Sequence, residues 1–513
     1  MSRPPPALAG EDLVSLNELQ DALLPSDLPV LPRLEVAARF LPAESGDTGG
    51  DWFDAIPLAH DKVALVVGAA GGRGLSAAVV MGKLQAVLRE RLESGADIAH
   101  AVQCLDRYAT GQPDADGSTV CVVSVDVRTG AVEYVTAGHP PPLVTSRRGA
   151  FRYFAPLGLG PLANGTVFAS NSEQLTPDEL MVIYTTGVVT RPGRSAAENS
   201  LDLARAATKA FGEKSPHRRH TVDGDCGRIL ELLAQPAGYT DDVTMLAVAR
   251  VPTPRTLAVT LPARPASVRA ARDDVGSWLD HLGTRALDRI AVLQAVTEVV
   301  GNAVEHAYVS AARSAENEVR VDATLTSQGL AQVTVVDHGR WRDDPTRPDG
   351  YGLARAGGFV DELKVDHRED GTTVQIRHRL GRPAHILELT SPAGRPTDPR
   401  RADTDPGQTI DVSSGRLVAQ GSLGGDGTDE LRAGLLVATR AGSVDATVDL
   451  GRVTQLSRAA VRALFEAVRR NGEHRTRLTV IAPPGTPAQH VLELVALPYQ
   501  ADSSDPRGES TRR

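Results

Sequence analysis

No run of about 18 apolar residues occurs in this chain, so no segment reads as a helix long enough to span a bilayer. Cysteine is scarce. Cys104, Cys121 and Cys226 are scattered through 513 residues and form no CxxC pair. That argues against a disulfide framework and for reduced, structural thiols in a cytoplasmic protein. A basic excess is missing too: 55 Lys and Arg stand against 64 Asp and Glu, a formal net charge of −9. General nucleic-acid binding needs a basic face. The opening MSRPPPALAG lacks the apolar core of a signal peptide. What is there is ordinary globular material, 41% apolar and 23% charged. The length is too great for one core and predicts roughly three domains.

Two stretches divide the chain. VPTPRT (251–256) follows an apolar strand and reads as a linker. Residues 381–407, rich in Pro, Arg, Asp and Thr, read as a longer, coil-like one. The expected plan is a helix within 1–30, domains over 31–250, 255–380 and 408–500, and a polar tail over 501–513. Leu13, Leu16, Leu19 and Leu23 recur at helical spacing before Pro25. That amphipathic helix either packs on its own domain or serves dimerisation or signal relay.

The first segment contains GGDWFDAIPL (49–58), VVGAAGGRGLSAAVVMG (66–82), TAGHPPPLV (136–144), IYTTGVV (183–189) and YTDDVTMLAV (239–248). In this order they resemble the type 2C metal-dependent protein phosphatases of the sporulation stage II protein E group. The resemblance implies an α/β/β/α sandwich and two hard cations, Mn or Mg, held by carboxylates that activate a water. Of the family's four metal-site aspartates, two fall on Asp51 and Asp241. The bridging one falls on Ala69, and another on Thr186. The His of the family's glycine turn is Arg73. A methyl coordinates nothing, and charge count sets affinity for hard cations. The expectation is therefore a degenerate domain, with Asp47 or Asp54 as shifted ligands in the alternative that keeps activity.

In the second segment, RIAVLQAVTEVVGNAVEHAY (289–308) is strongly helical. Ala295, Val296, Val299, Val300, Ala303 and Val304 form its apolar stripe. Glu298, Asn302 and His306 recur at i, i+4 and i+8 on another face. EVRVDATL and AQVTVVD alternate as strands, the second ending in Asp337, and DGYGLA (349–354) and DGTTVQIR (370–377) follow. The set resembles the GHKL ATPases, most closely the anti-sigma-factor serine kinases. The resemblance implies that Asn302 holds magnesium and that Asp337 accepts the adenine amino group. Gly339 lets the backbone approach the base, Gly350 and Gly352 serve the phosphates, and Thr372 completes the adenine contacts. By the same resemblance, Glu298 falls where these kinases carry the general base toward the substrate serine. Trp341 replaces the second glycine of D-x-G-x-G.

The third segment alternates β and α from GRLVAQGSL (415–423) to RLTVIAPP and resembles the STAS domain of anti-sigma-factor antagonists. The family's acceptor serine falls on Arg458. Ser457, one residue earlier, reads as a helix N-cap. Such a domain is expected to dock on a kinase through the helix after its acceptor turn.

These readings make an α/β and α+β multidomain protein: a phosphatase-like sandwich, a GHKL two-layer α/β sandwich and a STAS-like α/β domain. The expected function is a cytoplasmic partner-switching regulator of sigma-factor activity. Its ATP- and Mg-binding serine kinase module would phosphorylate a serine on a separate antagonist protein; the expected partners are sigma-factor, anti-sigma-factor or antagonist proteins, with no nucleic-acid or membrane partner. The alternatives are an active metal-dependent phosphatase and a scaffold that uses ATP as a conformational ligand.

Overall fold

The computed structural model describes residues 23–43, 49–157, 159–191, 193–213, 221–234, 239, 241–307, 317–339, 351–368, 371–386, 409–413, 415–423, 426–440, 442–456, 458–473, 476–494 and 497–501. The predicted N-terminal helix and most of the second linker lie outside them. The chain forms two compact units. One gathers residues up to 255 with 325–330 and 380–392; the other takes 256–324, 331–379 and 393–513.

The first unit opens with β1 (Asp27–Pro29), β2 (Leu34–Leu41), β3 (Gly50–Pro57) and β4 (Lys62–Ala70), followed by α1 (Gly74–Glu93) and α2 (Ile98–Thr110). β5 (Thr119–Asp126), β6 (Ala131–Ala137), β7 (Leu143–Ser146), β8 (Phe151–Tyr153), β9 (Asn171–Gln174) and β10 (Glu179–Tyr184) come next. Then follow α3 (Thr186–Val189), α4 (Ala196–Gly212), α5 (Val222–Leu233) and β11 (Val243–Arg250). A five-stranded sheet runs β3-β4-β5-β6-β9. A second sheet contains β2-β11-β10-β7-β8 in that order. α1 and α2 pack on the first sheet, α4 and α5 on the second, and β11 meets β3 and β4 between them. A strand covered on both faces needs no polar side. KVALVVGAA, the whole of β4, is accordingly buried almost throughout.

The second unit begins at Thr256, and residues 251–256 form neither helix nor strand. It contains β12 (Leu257–Pro262), α6 (Pro265–Leu282), α7 (Ala286–His306), β13 (Glu318–Leu325), β14 (Leu330–Asp337), α8 (Tyr351–Phe359), β15 (Glu362–Arg368) and β16 (Gly371–Arg379). The sheet order is β12-β13-β14-β16-β15. Burial alternates along β13 and β14, as befits a sheet with one face packed beneath helices. Five of the six stripe residues of α7 are buried, and Val304 is half-buried.

The expected linker is not irregular from its start. Residues 381–386 form β17 (Gly381–Pro383), antiparallel to β1, and β18 (His385–Ile386), parallel to β2. These pairings satisfy backbone groups that would otherwise stay bare at the edges of β1 and β2. Arg382 also meets Glu35 at 3.4 Å, and His385 meets Asp223 at 3.4 Å. A Pro- and Arg-rich composition does not reveal such long-range pairing.

The remainder of the second unit is a mixed sheet, β19-β20-β21-β22. It comprises β19 (Thr409–Ser413), β20 (Arg416–Leu423), α9 (Asp426–Ala438), β21 (Ala446–Leu456), α10 (Arg458–Glu473), β22 (Leu478–Ile481) and α11 (Pro487–Leu494). β20, β21 and β22 are parallel neighbours.

Candidate functional sites

In the phosphatase-like unit, Asp51 and Ala69 are cross-strand partners on β3 and β4, and Ala69 pairs in turn with Thr119 on β5. Cross-strand partners share a face. Behind them, Gly68 lies flat against the Trp52 indole: a Cβ there would come within 2.3 Å of the ring. Asp51 is 5% exposed and Asp242 fully buried. The Thr244 hydroxyl donates to Asp51 Oδ2 at 3.2 Å, and Asp242 Oδ1 accepts the Ala43 N–H at 2.9 Å. Burial first, and then the Asp242 carboxylate, holds the Asp51 carboxyl well above the usual range, against the opposing hydrogen bond from Thr185. Asp241 contributes less to that shift than Asp242 does. Gly49 leaves the room both carboxylates occupy, since a Cβ would lie 2.8 Å from Asp242 Oδ2 and 3.4 Å from Asp241 Oδ1.

Sequence reasoning carries the fourth aspartate to Asp241 and treats Asp242 as its neighbour. The YTDDV doublet holds the signal, and only burial separates its two members. Thr186 is exposed at the start of α3, whereas Thr185 is buried and bonds toward Asp51. Asp54 is turned away from this cluster: Arg89 on α1 holds it through Nη2–Oδ1 at 2.5 Å and Nε–Oδ2 at 3.0 Å. Three residues apart on a strand, Asp51 and Asp54 point to opposite faces. Asp47 lies outside the described residues. His139, from TAGHPPP, is buried between the Thr119 hydroxyl at 2.9 Å and the Tyr184 carbonyl at 3.1 Å, and burial pushes it down to about 4. Among the described residues no three His, Cys, Asp or Glu side chains are arranged to hold a metal ion.

The second site lies in the ATPase-like sheet. Asp337 ends β14 and is 6% exposed. Its Oδ1 accepts the Gly339 N–H at 2.9 Å. Burial raises its pKa, opposed by hydrogen bonds from the Gly339 and Thr372 backbone. Thr372 is itself buried on β16. Two glycines are required here. Gly371 has φ +151°, and a Cβ on it would stand 2.1 Å from the Asp337 carbonyl oxygen. A Cβ on Gly339 would stand 2.2 Å from the Ala307 carbonyl oxygen, so the room this glycine leaves is taken by the end of α7. Glu298 and Asn302, one turn apart on α7, are both half-buried. A buried carboxyl at a strand end beside a helix offering a neutral amide and a carboxylate fits an adenine nucleotide with its magnesium. Gly352 belongs to α8, while Gly350 and Trp341 lie outside the described residues. So does Ser457; Arg458 is the first residue of α10, directly after β21.

Comparison with known proteins matches the Stage II sporulation protein E (SpoIIE) family over residues 59–251. The histidine kinase-like ATPase domain matches over 261–378, and the Mlab, STAS domain over 407–498. The chain is similar to the crystal structure of the RsbU and RsbW domains of Rv1364c from Mycobacterium tuberculosis. Identity is 35% and the TM-score 0.63, covering 71% of this chain and 98% of that one. It is 26% identical over 275 residues to Protein IcfG of Synechocystis sp., which is 46% of this chain and 40% of that protein. It is 23% identical over 154 residues to the phosphoserine phosphatase RsbP of Bacillus subtilis, 28% of this chain and 38% of that protein. The chain thus spans only 40% and 38% of the lengths of these two curated relatives.

Proposed function

This chain belongs to the family of RsbU and RsbW domain proteins, with a SpoIIE phosphatase-type domain, a histidine kinase-like ATPase domain and a STAS domain in that order, and from this partner-switching architecture we propose that it is an ATP-dependent serine kinase acting on a separate protein. Its flanking modules dock and regulate rather than catalyse. Anti-sigma-factor antagonists are the substrate class the family suggests.

The observation that carries the kinase reading is the pairing of buried Asp337 with α7, which offers Glu298 and Asn302 a turn apart. Bound magnesium ATP supplies the phosphoryl group and the cation that offsets its charge. The Asn302 amide oxygen would hold the magnesium, and Asp337 would accept from the adenine amino group. Glu298 would take the proton of the partner's serine hydroxyl, a transfer typically worth 10²–10⁴-fold in rate. Phosphatase chemistry is disfavoured because Ala69 stands beside Asp51 where the family's bridging carboxylate is expected. The modular assignment of 31–250, 255–380 and 408–500 is part of the same proposal, with Arg458 a fixed positive charge in place of a switchable negative one.

The test incubates the full chain with labelled magnesium ATP and a panel of antagonist proteins from the same genome. Transfer to a serine, lost in Glu298→Gln while ATP still binds, is the expected result. ATP binding without transfer to any of them favours the conformational scaffold instead.

A further inference from the structure

α9 belongs by sequence to the STAS-type module, and its inward stripe packs there. Leu431, Leu435 and Ala438 are members of that module's apolar cluster. Gly434 faces the same way, since a Cβ on it would meet Leu417, Val412 and Ile410 at 2.6, 3.0 and 3.2 Å. At about 100° per residue, Ala433 lies roughly 150° around the helix from the middle of that stripe. It should be exposed. It is 3% exposed, yet outside the module's cluster. Val437, one turn on and on the same outward face, is half-buried. Among the described residues, α9 also packs against α7 of the ATPase-like module, besides its own β19, β20, β21 and α10. An alanine at a helix crossing lets the two axes come close, toward the 8–10 Å of a packed pair.

We infer that the STAS-type module is latched in cis onto α7 through the outward face of α9 centred on Ala433. The sequence points to docking through the helix after the acceptor turn, α10; the packing against α7 is made by α9. α7 carries Glu298 and Asn302. A module packed on this helix resists any shift of it, because opening would return the apolar surface between them to water. The latch itself stands apart from the kinase reading; only its consequence for turnover rests on that reading.

The test is hydrogen exchange on the full chain, comparing wild type with Ala433→Arg, and reading α7 against β20 and β21. Expected is an at least tenfold faster exchange across 286–306, with 416–423 and 446–456 as protected as in wild type. Unchanged exchange in α7, with the arginine present and the STAS core still protected, overturns the latch. Should the arginine loosen β20 and β21 as well, Ala433→Leu adds bulk at the same face while keeping helix propensity, and is judged by the same two criteria. Magnesium ATP titrated into the same samples separates the two ideas. Faster α7 exchange in a protein that binds no nucleotide leaves the latch standing and removes the kinase.

Discussion

Ala69 and Asp51 face each other directly across the β3–β4 ladder, a methyl beside a carboxyl, with Asp242 buried close by. Burial, and after it the Asp242 carboxylate, holds the Asp51 carboxyl well above the usual range.

Wild-type protein is expected to show no more than trace manganese-dependent hydrolysis of phosphoserine proteins. Ala69→Asp combined with Thr186→Asp should tighten manganese binding by at least tenfold in calorimetry, because affinity for hard cations follows ligand charge. Turnover by the wild type at the level of an intact phosphatase, abolished by Asp51→Ala, would contradict this reading.

Nucleotide binding should depend on Asp337 and Asn302 in different ways. Asp337→Asn turns an acceptor partly into a donor and is expected to cost about 1–3 kcal/mol, or roughly 5- to 150-fold in ATP affinity. Asn302→Ala should abolish the gain that magnesium gives and leave metal-free binding little altered. Calorimetry giving equal affinities for wild type and both variants removes the assignment.

Burial raises Asp225 to about 7 from an ordinary 3.8. The folded state therefore holds a proton that the unfolded chain has released, and stability falls as pH rises from about 4 to about 7. Asp225→Asn should raise the melting temperature at pH 8 and leave it nearly unchanged at pH 4. Differential scanning calorimetry showing the same difference at both values would refute the linkage.

Gly68→Ala places a Cβ within 2.3 Å of the Trp52 ring. Overpacking of this kind typically costs 1–3 kcal/mol. A lowered urea midpoint at unchanged slope is expected, together with a shift in Trp fluorescence. The loss should be recovered in part when Trp52→Leu is added, since the smaller side chain removes the clash.

Much of the architecture is legible in the chain itself. Period-2 alternation locates β13 and β14, and the 3.6-residue stripe of Ala295, Val296, Val299, Val300 and Ala303 locates the buried face of α7. Local periodicity carries this information because each element buries one face whatever its partner.

Only the tertiary structure decided the rest, because it depends on residues far apart in sequence. Nothing local distinguishes Asp242 from Asp241 or Thr185 from Thr186; burial chooses among them. Nothing local marks 381–386 as strand, since its pairing partners lie more than 300 residues away in β1 and β2. Nor does any periodicity announce that Ala433 is covered on its outward side. A sequence fixes which faces are apolar, whereas only the packed chain fixes what each face meets.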